Sequence, residues 1–323
     1  MIEQNTDKNN PIESISLRSG RSWHNFVCGE WDAMEEPDEH LMEASLKLGQ
    51  MDWLMMHNFV FGILKIYRGE FDSIAWLIKN MSKLADDFES KNARIYQMIL
   101  ELFASIQQRK LNQVMKTIEQ WQLLFKIEQN MNLVALLGWK AEFLIYLKDY
   151  DGVTKVFDQI EGIIKKSSMN PPMTTCIYLY AKALNDIILL EEYFRSNNKS
   201  RVLEFKKNAA RSTKLLLRNA KKSPRIRTSG FRLIGQYFWI TGYRKKAVNL
   251  WKKSIKEGKR LRARPDLART YMEIGKRFKE EKSRYKELDG ISAEGYLEKA
   301  RGMFQEMDLQ WDLDELDKIA VVG

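Results

Sequence analysis

The stretch Phe231 to Lys259, FRLIGQYFWITGYRKKAVNLWKKSIKEGK, decides how the chain is read. Apolar residues on either side of Gly242-Tyr243-Arg244 recur at helical rather than strand spacing. Gly235 stands seven positions before that turn, where a small side chain lets two helices approach. Beyond the turn Ala247 and Trp251 stand four apart on one face. A polar turn with one large apolar residue between two such segments predicts an antiparallel helical hairpin, its apolar turn residue plugging the space between the helices.

The same turn recurs along the chain. Gly29-Glu30-Trp31-Asp32 returns as Gly69-Glu70-Phe71-Asp72, then more loosely as Arg109-Lys110-Leu111-Asn112 and Lys148-Asp149-Tyr150-Asp151. The steps are forty, forty and thirty-nine residues. Gly62 and Ala141 precede their turns by seven residues, as Gly235 does. Ile74 and Ile78, Val114 and Ile118, and Val153 and Phe157 repeat the four-residue spacing on the second helix. Pro172 to Ala220 departs from the pattern. Near the C-terminus Tyr271, Ile274, Gly275 and Phe278 restate the first-helix pattern, and an insertion, SRYKELDGIS, precedes Ala293, Leu297 and Ala300. All six prolines fall in polar joints, consistent with long helices and short connections.

These residues resemble the tetratricopeptide repeat: a small residue early, a Gly-acid-aromatic turn, then Ala-x-x-x-Phe or Trp. The resemblance covers roughly residues 20 to 320. It is similar to the longer-helix variety found in bacterial multidomain signalling proteins, including maltose-regulator-type ATPases and nucleotide cyclases. It implies an all-α, right-handed superhelix of about seven hairpins with a period near 40 residues. Segment 1–14 is expected to be disordered or extended. Residues 15–172 would form hairpins with an apolar concave face, 173–309 hairpins with a basic surface, and 310–323 a capping helix. The helix before the first turn, Ile15 to Val27, is short for a full hairpin, which suggests a degenerate first repeat or a piece of a longer parent chain.

Charge is distributed unevenly. Lys199 to Arg264 holds 22 Lys and Arg against Glu204 and Glu257 alone, a net +20, while the rest of the chain carries −10. Cys28 and Cys176 form no C-x-x-C pair, the first residues are polar, and the most apolar stretch, Trp53 to Tyr67, is interrupted by His57, Asn58 and Lys65. The expectation is a cytoplasmic protein without a membrane partner. His24, His40 and His57 form no ligand pair, and no phosphate loop, dinucleotide fingerprint or nucleophile elbow occurs. A non-enzymatic binding protein with neither metal nor cofactor is the expectation.

Two surfaces carry the functional expectation. On first helices, Met56, Phe59, Ile63, Tyr96, Ile99 and Phe103 (with Ile145) would face inward, forming a groove for an apolar helix or peptide. Tighter packing, or cover by the chain's own N-terminus, is the alternative. Further along, the inner positions become Arg232, Gln236, Trp239, Arg269, Lys276 and Lys279. Around them lie Lys221, Lys222, Arg225, Arg227, Arg244, Lys245, Lys246, Lys259, Arg260, Arg262 and Arg264. Three readings fit this basic region: an acidic protein segment, which another domain of a longer chain could supply; nucleic acid; or a merely solvated face. The leading expectation is a protein-interaction scaffold or regulatory module, with Phe103 and Trp239 as aromatic anchors.

Overall fold

The computed structural model describes residues 11–37, 39–124, 131–167, 171–281 and 283–321. Among these the protein is all-α, with fifteen helices and one two-residue strand pair. The chain divides into two compact units, Met1–Ser105 and Ile106–Gly323. Residues 1–10 of the segment expected to be disordered lie outside the described residues; helix α1 (Pro11–Cys28) begins four residues before Ile15.

Unit 1 contains α1, α2 (Glu39–Lys47), α3 (Met51–Arg68), α4 (Phe71–Asp87) and all but the end of α5 (Lys91–Gln107). Its core gathers Leu54 and Met55 of α3, Met81, Leu84 and Ala85 of α4, and Ala93 of α5. A row of rings continues it, Phe26 on Trp31, Trp31 on Tyr67 and Tyr67 on Phe103, with centroids 5.8, 5.3 and 5.0 Å apart. His57 is fully buried and its Nδ1 hydrogen-bonds Ser22 Oγ at 2.9 Å, a structural role for the one histidine on an apolar helix.

Unit 2 runs through α6 (Leu111–Leu124), α7 (Met131–Tyr146), α8 (Tyr150–Lys166), α9 (Pro172–Arg195), α10 (Lys199–Ala220), α11 (Arg227–Ile240), α12 (Arg244–Leu261), α13 (Arg264–Lys279), α14 (Ala293–Glu306) and α15 (Gln310–Val321). Consecutive helices pair, α7 with α8, α9 with α10, α11 with α12 and α13 with α14, while α9 packs on α7 and α11 on α13. Residues 173–220, where the sequence pattern fails, fold into the two longest helices of the unit. By length and composition α9 could cross a membrane, but Cys176, Ala181, Ala183, Ile187 and Leu190 are buried in the helical core.

The recurring turns share one backbone device. Gly29, Gly69, Arg109, Lys148 and Gly242 all adopt left-handed φ, between 56° and 86°. After four of them the next amide bonds a carbonyl five residues back: Glu30 to Asn25, Glu70 to Lys65, Asp149 to Leu144 and Tyr243 to Phe238. The turn's apolar residue is a plug only in part, since Trp31 is buried and Tyr243 is 54% exposed. At Gly235 an added Cβ would lie 2.6 Å from Trp251 Cδ1 of the hairpin partner α12, as the spacing predicts. Gly62, in contrast, accommodates Leu100 of α5 rather than a residue of its own hairpin partner. The insertion forms a small antiparallel hairpin, Glu287–Leu288 with Ile291–Ser292, turned by Asp289-Gly290 at φ 52° and 74°.

Candidate functional site

The first helix of each pair in unit 2 contributes to one cavity of about 1250 Å3. Tyr146 and Ile145 come from α7, Leu184 and Ile188 from α9, Arg232 from α11, Arg269, Met272, Glu273, Lys276 and Lys279 from α13, and Trp311, Asp312 and Ile319 from α15. The turns add Arg109 and Lys148, and the first residues of α8 and α12 add Tyr150 and Arg244. Nine basic and five acidic residues line it together with apolar side chains, so it attracts anions and also offers dry contact.

Its walls are held by buried ion pairs. Arg269 grips Asp312 bidentately, at 2.9 and 2.7 Å, and donates to the side chain and carbonyl of Gln107 at 2.7 and 2.6 Å. Burial disfavours the Asp312 carboxylate, yet the Arg269 guanidinium holds its pKa below the usual carboxylate range. Arg277 reaches Glu191 of α9 through both Nη atoms, at 2.9 and 2.8 Å, and also Glu273 and Glu280. Against the opposing effect of burial, Arg277 brings Glu191 down to about 2. Arg109 bonds Glu142 Oε1 at 3.2 Å and lies 3.7 Å over the Tyr146 ring, whose hydroxyl donates to the same carboxylate oxygen. Burial pushes the Tyr146 hydroxyl well above its ordinary pKa, so it remains a donor.

Arg195 and Lys318 are also paired, with Glu191 and Glu315, but other cations of the cavity differ. Arg232 Nη2 donates to Tyr180 Oη at 2.9 Å, and its Nε is buried without a hydrogen-bond partner. Lys148, Lys276 and Lys279 take part in no ion pair among the described residues.

Of the expected inner positions, Arg232, Arg269, Lys276 and Lys279 are brought together here. Gln236 stands behind the wall and donates to Glu191 at 3.2 Å. Trp239 is corrected from groove anchor to core. Its ring packs among Trp251, Phe278 and Tyr285, and its Nε1 donates to Glu280 at 2.8 Å, because the segment following α13 folds over it. In unit 1, Ile63 and Phe103 are likewise buried within the core. Phe59 stacks on Tyr96 at 4.5 Å and both pack on the α3–α5 core, while Met56 and Ile99 are half-buried. The apolar excess of these helices is thus largely consumed inside their own unit.

The basic residues separate into groups. Arg227 donates to the carbonyls of Ala220 and Lys221 and lies 3.8 Å from Glu257, drawing the ends of α10 and α12 together. Lys221, Lys222, Lys259 and Arg260 therefore share one end of the unit, with Arg260 paired to Glu257. Arg225 donates to the Met173 carbonyl, Arg264 pairs with Glu306, and Arg262 caps α12 in left-handed conformation. Lys245 and Lys246 stand with Arg244 at the opposite end of α12; only Arg244 reaches the cavity.

Sequence reasoning missed Arg109, Tyr146, Glu191, Arg277 and Asp312. A signal existed for α13, where Asp266, Arg269, Glu273, Arg277 and Glu280 recur every three or four residues. Such a stripe ordinarily faces solvent, but here Arg269 and Arg277 are each only 4% exposed. No group of three His, Cys, Asp or Glu among the described residues is placed to hold a metal ion. No protein-family model matches the chain, and no curated protein is significantly similar to it.

Proposed function

We propose that unit 2 is a tetratricopeptide-type superhelix serving as a non-enzymatic interaction module, whose cavity receives a segment of a partner protein bearing both acidic and apolar side chains. The cavity carries this reading: basic residues outnumber acidic ones on its walls, and Ile145, Leu184, Ile188, Met272, Trp311 and Ile319 lie among them. Buried pairs already neutralise Arg109 and Arg269, which fixes the walls and leaves Lys148, Lys276 and Lys279 for an incoming acid. The shared left-handed turns support the repeat assignment. A regulatory role, in which partner binding restrains or releases an effector, is the setting the family resemblance suggests.

The test is photo-cross-linking with p-benzoylphenylalanine in place of Met272, followed by mass spectrometry of the adducts. An acidic and apolar protein segment joined at this position, and lost in a K276E/K279E variant, is the expected result. Adducts to nucleic acid, or protein adducts indifferent to both charge reversals, would overturn the reading.

A further inference from the structure

Five arginines line the cavity. Arg195 pairs with Glu191 and Arg244 lies 5.0 Å over the Trp239 ring, while the other three, from the turn before α6 and from α11 and α13, are not equivalent. Arg109 is paired with Glu142 and Arg269 with Asp312, both at hydrogen-bonding distance. Arg232 has no ion pair among the described residues. One Nη donates to the neutral hydroxyl of Tyr180, and its Nε is buried with no acceptor. Asp266 is the carboxyl that acts on it most strongly, from beyond ion-pair distance.

An arginine enclosed by protein with an unused donor is costly, and proteins ordinarily match such a group with a carboxylate. Arg232 lines the cavity together with Leu184 and Ile188 of α9 and Met272 of α13. The cavity thus combines one guanidinium that has no carboxylate partner with apolar surface. A guanidinium in that state prefers a planar oxyanion that can take two parallel N–H bonds.

We infer that Arg232 is the anchor of the cavity and that it takes a single carboxylate flanked by apolar groups, rather than a run of acids. This rests on the reading of the cavity as the binding site and specifies what is recognised there. Lys276 and Lys279 attract the ligand at longer range, whereas Arg232 discriminates its head group.

The probe pair is 4-(4-fluorophenyl)butyrate and its uncharged amide, followed by 19F line broadening with the full chain. The carboxylate is expected to bind at least tenfold more tightly than the amide. Arg232→Gln removes that preference. Arg232→Lys, which keeps the charge but not the fork, retains a reduced part of it and covers the event that the Gln variant fails to fold. Equal binding of acid and amide by the native chain, or a preference undiminished in both variants, overturns the inference. Protein cross-linking from position 272 that persists undiminished in R232Q sinks the anchor while leaving the cavity as the binding site. Loss of that cross-linking in K276E/K279E, with R232Q equally defective, supports both.

Discussion

Conformation at single residues shows what the repeat demands of its sequence. The turn preceding α8 places Lys148 at φ 59°, where a β-carbon is strained, while Gly69 and Gly242 fill the equivalent place without that cost. Lys148→Gly is therefore expected to stabilise the chain by about 1 kcal/mol, read as a shifted urea midpoint with unchanged slope. The opposite holds inside α11. Gly235 is crowded by the Trp251 indole, so Gly235→Ala must displace it and should cost about 1–3 kcal/mol in the same measurement. Asp186 offers a test by pH. Burial raises its pKa from 3.8 to about 6, against the pull of Ser212 and Lys182. Between those values the native state keeps a proton that the unfolded chain has released, so this residue's contribution to stability falls as pH rises through the window. Asp186→Asn is expected to gain relative to the native chain between pH 4 and pH 7.5, by at most about 3 kcal/mol. A difference independent of pH would contradict the assignment.

Helix α13 illustrates how an element is fixed by ionic contacts. Arg277 ties it to α9 through Glu191, and Arg269 ties it to α15 through Asp312. Removing one partner leaves carboxylates buried without compensation. Arg277→Met should therefore destabilise the protein by about 3–5 kcal/mol at pH 7, measured by chemical denaturation. Part of the loss should disappear at low pH, because Glu191 titrates near 2 in the native state and loses its stabilising share as pH falls from 4.5 towards that value. The periodicity of α13 was legible; the burial of its charged stripe was not. Amphipathic reading sends an Asp-Arg-Glu-Arg face to solvent, whereas here α9 and α15 bring partners of opposite sign to it. For the same reason Trp239 reads as an exposed anchor until Glu280 and Tyr285 are seen against it.

Across the whole molecule, the uneven charge acts over the longest range. A net +20 over Lys199 to Arg264 places like charges on the exposed faces of α10 and α12 in unit 2, with Glu204 and Glu257 as the only acids in that stretch. Screening should relieve that repulsion more than it weakens buried pairs, so the melting temperature is expected to rise between 20 mM and 300 mM NaCl. A fall would mean that surface ion pairs outweigh the repulsion.

Periodicity, left-handed turn positions and charge are local properties, so the helical class, the places where helices turn and the basic character of residues 199–264 follow from the chain's own order of residues. The same order puts Arg232, Arg269, Lys276 and Lys279 on first helices. Which of these charges are spent was settled only when the helices stacked. Arg269 is paired across 43 residues and Arg277 across 86, whereas Arg232, on the cavity wall, has no ion pair among the described residues and keeps a buried Nε without an acceptor. Pairing at such separations depends on which helix lies against which, and a one-dimensional pattern holds no record of the neighbour that stacking supplies.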